Sequence, residues 1–301
     1  MGVSPFTFQL ATRIEFGEGY LTRAGAEAKK LGITKAMVIA DKGIIACGIV
    51  KPIEESLKAE HVDYVIYDQI VPNPRDVHCI AGAEFAKEHQ VDGMIAIGGG
   101  SSMDTAKAVG TLLANGGNIR TWAAPALLEN PIIPLIAVPT TAGTGSEVTF
   151  DAVITDTEAH EKLNILDLKI APKVALVDPN VLQGLPEKVM ASTGVDALIH
   201  ALEAYTCKAA SPVTDAFALY AIDLIGANIR EAVYQRTKDS CAAMMLGSTM
   251  AGVAFGYSDV AAIHCIAEAL GGRYDTPHGV ANAIILPTVM EYNAPCTGTK
   301  F

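Results

Sequence analysis

The chain has 301 residues, half of them hydrophobic and 18% charged, a composition that suits a globular protein of one large or two medium domains. A formal charge of −11 argues against an extended nucleic-acid surface. No apolar run is long enough to span a bilayer, IIPLIAVP (132–139) being too short, so no membrane partner is expected.

The N-terminal stretch MGVSPFTFQL has neither a basic region nor a long apolar core. Phe6 stands where a Gly2 myristoylation signal needs Ser or Thr. From there to about residue 180, short β-branched runs alternate with amphipathic segments. KAMVIA (35–40), VDYVIYD (62–68), GMIAIG (93–98), IPLIAVP (133–139) and VALVD (174–178) read as buried strands. LTRAGAEAKKLG (21–32), IVKPIEESLKAE (49–60) and DVHCIAGAEFAKEHQ (76–90) read as helices between them. Such alternation predicts an α/β domain, a parallel sheet with helices on both faces, over residues 1–184. Residues 185–301 carry long apolar-periodic runs without strand signals and predict an all-helical domain.

Asp41 closes the strand KAMVIA. It suits a helix cap, and equally a carboxylate on the ribose hydroxyls of a dinucleotide. Gly98-Gly99-Gly100-Ser101 lies between a strand and a helix, where backbone N–H groups and a helix N-terminus favour an anion, although G-x-G-x-x-G is absent. Ser101 and Asp104 have capping-box spacing. A second loop, VPTTAGTGSEVT (138–149), crowds Thr140, Thr141, Thr144, Ser146 and Thr149 with glycines at the end of another strand. Ligands of such sheets bind there.

Asp196 and His200 share a helix face at i, i+4, and His264 and His278 follow in apolar or Gly-rich surroundings. Mixed imidazole and carboxylate donors suit Fe²⁺ or Zn²⁺, while isolated core histidines would give the same pattern. The cysteines, Cys47, Cys79, Cys207, Cys241, Cys265 and Cys296, form no C-x-x-C pair and fit thiols of a reducing compartment, so a cytoplasmic protein is expected.

GGGSSMDTAK, VPTTAGTGSEVT, GVDALIHALEAY and PHGVANAIILP, in this order, resemble the iron-containing alcohol dehydrogenase family, nearest its lactaldehyde reductase and 1,3-propanediol dehydrogenase branch. The resemblance implies a dinucleotide-binding α/β domain followed by a helical metal domain. It implies that Asp196, His200, His264 and His278 ligate a divalent metal, Fe²⁺ foremost. Asp41, Asn73, Gly99, Gly100, Ser101, Thr140, Thr141, Thr144, Thr149 and Lys162 match positions lining the NAD site, and Asp151 and Phe255 match positions near the substrate. The expected reaction is NAD-linked interconversion of a short-chain alcohol, diol or small aldehyde.

Three departures from the family pattern stand out. Glu268 replaces a histidine usual four residues after the third ligand, and is a candidate ligand, general base or substrate contact. Tyr257 and Ala261 stand where Asn and Gly are usual. Family chains continue beyond MEYNAP into further helices, whereas this one stops at Phe301. The apolar positions of ALEAY, LYAIDLI and AMMLGSTMAGVAF exceed one packed face, so a truncated helical domain, and self-association as a homodimer or larger, are expected. Two alternatives stay open: a dehydroquinate synthase-like NAD and metal enzyme, for which Arg273 is a lone basic candidate, and a catalytically impaired homologue that binds nucleotide or metal.

Overall fold

The computed structural model describes residues 5–300, so the Gly2 position and the end at Phe301 lie outside the described residues. The chain forms two compact units. One comprises Ala11–Thr140 with Ser146–Val181; among the described residues the other comprises 5–10, Thr141–Gly145 and 182–300.

The first unit is built on a six-stranded parallel sheet in the order β1-β8-β5-β4-β2-β3. Its strands are β1 (Arg13–Phe16), β2 (Lys35–Ala40), β3 (Asp63–Tyr67), β4 (Gly93–Gly98), β5 (Leu135–Pro139) and β8 (Val174–Val177). Helices α1 (Ala24–Lys30), α2 (Lys42–Ala46), α3 (Lys51–Ala59), α4 (Asp76–Glu88), α5 (Gly100–Asn115) and α6 (Ile119–Trp122) connect them. A separate antiparallel pair, β6 (Asp151–Asp156) and β7 (Glu161–Leu166), completes the unit.

Side-chain alternation along the central strands divides the core in two. Met37, Ile39, Met94, Ala96, Leu135 and Ala137 enter one cluster with α4, α5 and the β6–β7 pair. Ala36, Val38, Ile95, Ile97, Ile136 and Val138 enter the other with α1 and α3. Because both faces are covered, these strands read as continuous apolar runs. The unpredicted strand β1 is a four-residue edge strand with polar members, paired with β8 alone.

The expected capping box does not form. The N-cap of α5 is Gly99. The Asp104 carboxylate turns inward instead, accepting from Ser146 Oγ at 2.8 Å and from the Val153 N–H at 3.2 Å. A carboxylate with two remote donors has a better-satisfied shell there than on one local amide.

The second unit is helical: α7 (Glu187–Thr206), α8 (Pro212–Tyr234), α9 (Lys238–Ser258), α10 (Ala262–Tyr274) and α11 (His278–Asn293). Ser211 and Thr214 form a capping box on α8, and Thr237 caps α9. Ile199, Ile263 and Val289 tie α7, α10 and α11 together, and Ala204, Ala218 and Ala254 tie α7, α8 and α9. Glycine sets the spacing at one decisive point. A Cβ on Gly279 would stand 2.4 Å from the Ser192 carbonyl oxygen, so only glycine lets the start of α11 abut α7. The unit exposes Tyr220, Tyr234, Tyr274, Ile284 and Tyr292. Among the described residues no single helix is long and apolar enough to cross a membrane.

Candidate metal centre

Helical periodicity puts Asp196, His200 and Glu203 on one face of α7, at i, i+4 and i+7. His264 enters from the first turn of α10 and His278 from the first residue of α11, where the approach at Gly279 brings it down to α7. Donor atoms of Asp196, His200, His264 and His278 all lie within 4.8 Å of one another.

Asp196 is the hub. Its Oδ1 is 3.7 Å from His264 Nε2 and 3.6 Å from His278 Nε2, and its Oδ2 is 4.0 Å from His200 Nδ1. The His200 ring stacks on His264 at 4.2 Å and on Phe255 at 4.4 Å between centroids. Burial would raise the Asp196 carboxyl, yet His200, His278 and His264 around it hold it far below the usual range. Burial and the neighbouring His264 push His200 down to about 3. His264, despite burial, is raised to about 9 by the Asp196 and Glu203 carboxylates. His278 is the open side of the cluster, its side chain 35% exposed.

The residues fit a divalent cation. His200 Nδ1 and His264 Nε2 are buried without a hydrogen-bond partner, an arrangement that is costly unless something electropositive faces them. Tetrahedral ligands on bonds of about 2.1 Å are separated by roughly 3.4 Å, a few tenths less than the separations from Asp196. Orientation is supplied from behind: His264 Nδ1 donates to Glu203 Oε2 at 2.6 Å, and His200 bonds the Gly143 backbone. Asn282 Nδ2 donates to Asp196 Oδ1 at 2.6 Å.

Glu203 and Asn282 escaped the sequence reading. Each stands at helical spacing from a candidate ligand, Glu203 at His200 + 3 and Asn282 at His278 + 4, and that spacing is the signal that could have found it. Glu268 lies one turn beyond His264, partly buried and outside the four-residue cluster.

In the first unit Asp41, Gly99 and Thr140 follow the carboxyl ends of the neighbouring strands β2, β4 and β5. Strand order reverses between β2 and β4, since β2 leads outward to β3 while β4 returns on its other side. Asp41 follows β2 and Gly99-Gly100-Ser101 follow β4, so both stand at this switch point. Asp41 Oδ1 caps α2 through the Gly43 and Ile44 N–H groups at 2.8 and 3.0 Å. The Thr140 N–H donates to the Gly98 carbonyl at 2.9 Å, joining the two loops. Lys162 Nζ donates to Asn73 Oδ1 at 3.3 Å and to Thr155 Oγ1 at 2.8 Å.

Thr149 turns inward. Its hydroxyl accepts from Lys107 Nζ at 3.2 Å, and the same ammonium donates to Ser146 Oγ and to the Asp151 carbonyl, both at 2.8 Å. Thr141 and Thr144 belong to the helical unit, as does Phe255.

A parallel sheet with a reversal point and a helical unit carrying an Asp-His₃ cluster fit a metal-dependent enzyme. The iron-containing alcohol dehydrogenase family matches residues 11–179 and its C-terminal region matches residues 190–301, and the chain belongs to that family. It is 40% identical over 288 residues to lactaldehyde reductase of Escherichia coli (strain K12), covering 95% of this chain and 75% of that protein. It is 38% identical over 286 residues to the NAD-dependent methanol dehydrogenase of Bacillus methanolicus, with the same coverage. A crystal structure of 1,3-propanediol oxidoreductase superposes with a TM-score of 0.93 at 38% identity, over 96% of this chain and 76% of that one. The chain thus spans about three quarters of the length of these relatives, and its class is that of metal-dependent alcohol or aldehyde dehydrogenases of small substrates.

Proposed function

We propose that the protein catalyses NAD-linked interconversion of short-chain alcohols or diols with the corresponding aldehydes, with Asp196, His200, His264 and His278 holding a divalent ion, Fe²⁺ in preference to Zn²⁺. The observation that carries this reading is the convergence of those four donors within 4.8 Å, two imidazole nitrogens buried without a partner. When bound, the ion would act as a Lewis acid toward the substrate oxygen, and NAD would accept or return the hydride.

The chain's own residues have separate tasks. Asp196 supplies the anionic charge that three imidazoles lack, and Asn282 fixes its orientation through Oδ1. The Phe255 ring on His200 walls that side with apolar surface and excludes water from it. Partly exposed His278 marks the side from which substrate enters. At the carboxyl ends of β2 and β4, the amides of Gly99-Gly100-Ser101 would hold the cofactor's phosphates, and the Asp41 carboxylate would accept from the adenosine ribose, which would disfavour a 2′-phosphate. Thr140, Asn73 and Lys162 would complete this part of the reading, whereas the Thr149 hydroxyl is taken up by Lys107. Residues 1–184 form the NAD-binding part and 185–301 the metal part of a cytoplasmic homo-oligomer, a dimer or larger.

The test is steady-state NAD⁺ reduction by metal-loaded protein across methanol, ethanol, 1,2-propanediol and 1,3-propanediol, with NADP⁺ alongside. Turnover of at least one substrate with NAD⁺ is expected. No turnover with any of them, by protein that binds both metal and NAD⁺, would overturn the reading.

A further inference from the structure

Glu203 lies on α7, buried to 3% exposure, with no side chain of its own helix to pair with. Both of its oxygens reach the start of α10 instead. Oε1 accepts the Ile263 N–H at 2.7 Å, and Oε2 accepts His264 Nδ1–H at 2.6 Å and the His264 N–H at 3.4 Å. The helix needs this: its N-cap residue is Ala261, which offers no side-chain acceptor, so its first amides would otherwise be orphaned in the interior. One carboxylate from a helix some sixty residues earlier therefore caps α10 and holds the imidazole that α10 carries.

The consequence is chemical as well as mechanical. An ionised carboxylate only accepts hydrogen bonds, so the ring nitrogen facing it must carry a proton. The geometry of His264 is simple: Nδ1 is committed to Glu203, and Nε2 faces Asp196 Oδ1 at 3.7 Å. Nε2 is then the nitrogen whose lone pair is available to a cation. The same carboxylate, through the Ile263 amide, fixes how far the first turn of α10 advances toward α7, and so the position of that lone pair.

We propose that Glu203 is the positioning residue of the metal centre. By binding the ring and the first amides of its helix with one carboxylate, it sets both the tautomer and the placement of His264, and thereby the affinity of the centre for a divalent ion. It lies outside the four-residue cluster and acts through His264. This inference rests on the metal reading above.

Glu203→Gln is the discriminating variant. Its amide oxygen still accepts the Ile263 N–H, but its NH₂ then faces His264 Nδ1 and favours the tautomer with the proton on Nε2, the nitrogen that should stay open. Zn²⁺ affinity is measured by competition with a chromophoric chelator, using the full chain stripped of metal, and far-UV circular dichroism checks the metal-free fold. Glu203→Gln should bind Zn²⁺ about 10- to 100-fold more weakly with unchanged helix content. In a His264→Gln background the same substitution should change affinity less than about threefold, because its route of action is already gone.

Equal Zn²⁺ affinity in Glu203→Gln and the parent would reduce Glu203 to a helix cap. An equal loss in both backgrounds would show general loosening rather than action through His264. Failure of Glu203→Gln to fold would also overturn the assignment, since the retained acceptor predicts a folded protein. A parent that binds no Zn²⁺ would instead overturn the metal reading itself, and this inference with it.

Discussion

Replacing Lys107 by Met tests the buried polar node of the sheet unit. Lys107 is fully buried on α5, and Met keeps most of its stem while removing the ammonium. Its Nζ bonds Ser146 Oγ, Thr149 Oγ1 and the Asp151 carbonyl, and Ser146 in turn donates to Asp104. Loss of the cation leaves a buried carboxyl without its counter-charge and a carbonyl without its donor. Breaking one side of such a pair costs about 3–5 kcal/mol. In a unit of this size that corresponds to a fall in Tm on the order of 10 °C.

The pH dependence has a definite sign. Burial raises Asp104 to about 6, while Lys107 pulls it down. A carboxyl whose folded pKa exceeds the unfolded value binds its proton more tightly in the native state. Its contribution is therefore greatest below the unfolded pKa and declines, by up to about 3 kcal/mol, as pH rises to the folded pKa. Without Lys107 that pKa climbs further and the decline extends to higher pH. Lys107 itself is lowered by burial, which in the parent makes stability rise with pH in the alkaline range. Both effects widen the gap between parent and variant as pH increases. Trp122, the single tryptophan, is buried in this unit's core and reports urea unfolding by fluorescence. A deficit below about 1 kcal/mol at pH 7.5, or one that grows as pH is lowered to 5, would refute the reasoning.

Two further outcomes follow from local geometry. The parent should prefer NAD⁺ to NADP⁺, and Asp41→Gly should relax the kcat/KM ratio about tenfold or more while costing only a few tenths of a kcal/mol as a cap; a parent indifferent to the two cofactors would contradict this. Gly145 has φ +62° and a Cβ there would stand 2.5 Å from Gly252 Cα, so Gly145→Ala should cost roughly 3 kcal/mol or more in chemical denaturation. Gly32, with φ +77° and nothing within 4 Å, is the control, where Ala should cost only about 1–2 kcal/mol.

The central strands were legible because a strand covered on both faces needs apolar residues at every position, as GMIAIG shows. β1 and the β6–β7 pair were not, since RIEF and EKLNIL carry charges at exposed or half-exposed positions and look like loop. The same limit governs the site. Asp196 and His200 could be paired from helical spacing alone, but the entry of His264 and His278 depends on α10 and α11 meeting α7, which no local pattern encodes. Lys107 carries no local signal because its acceptors come from residues 146–151. Asp104 fitted a local capping motif, yet took partners more than forty residues away. Glu203 is similar: its spacing from His200 is visible, its bonds to Ile263 and His264 are products of tertiary structure.

The central claim is most directly tested by metal analysis of the purified chain beside His278→Ala, each stripped with chelator and reloaded with Fe²⁺ or Zn²⁺ under exclusion of air. The account predicts about one tightly held divalent ion per parent chain and a large loss of metal in His278→Ala, because three remaining ligands leave an incomplete shell. Equal metal content in the two proteins would contradict it.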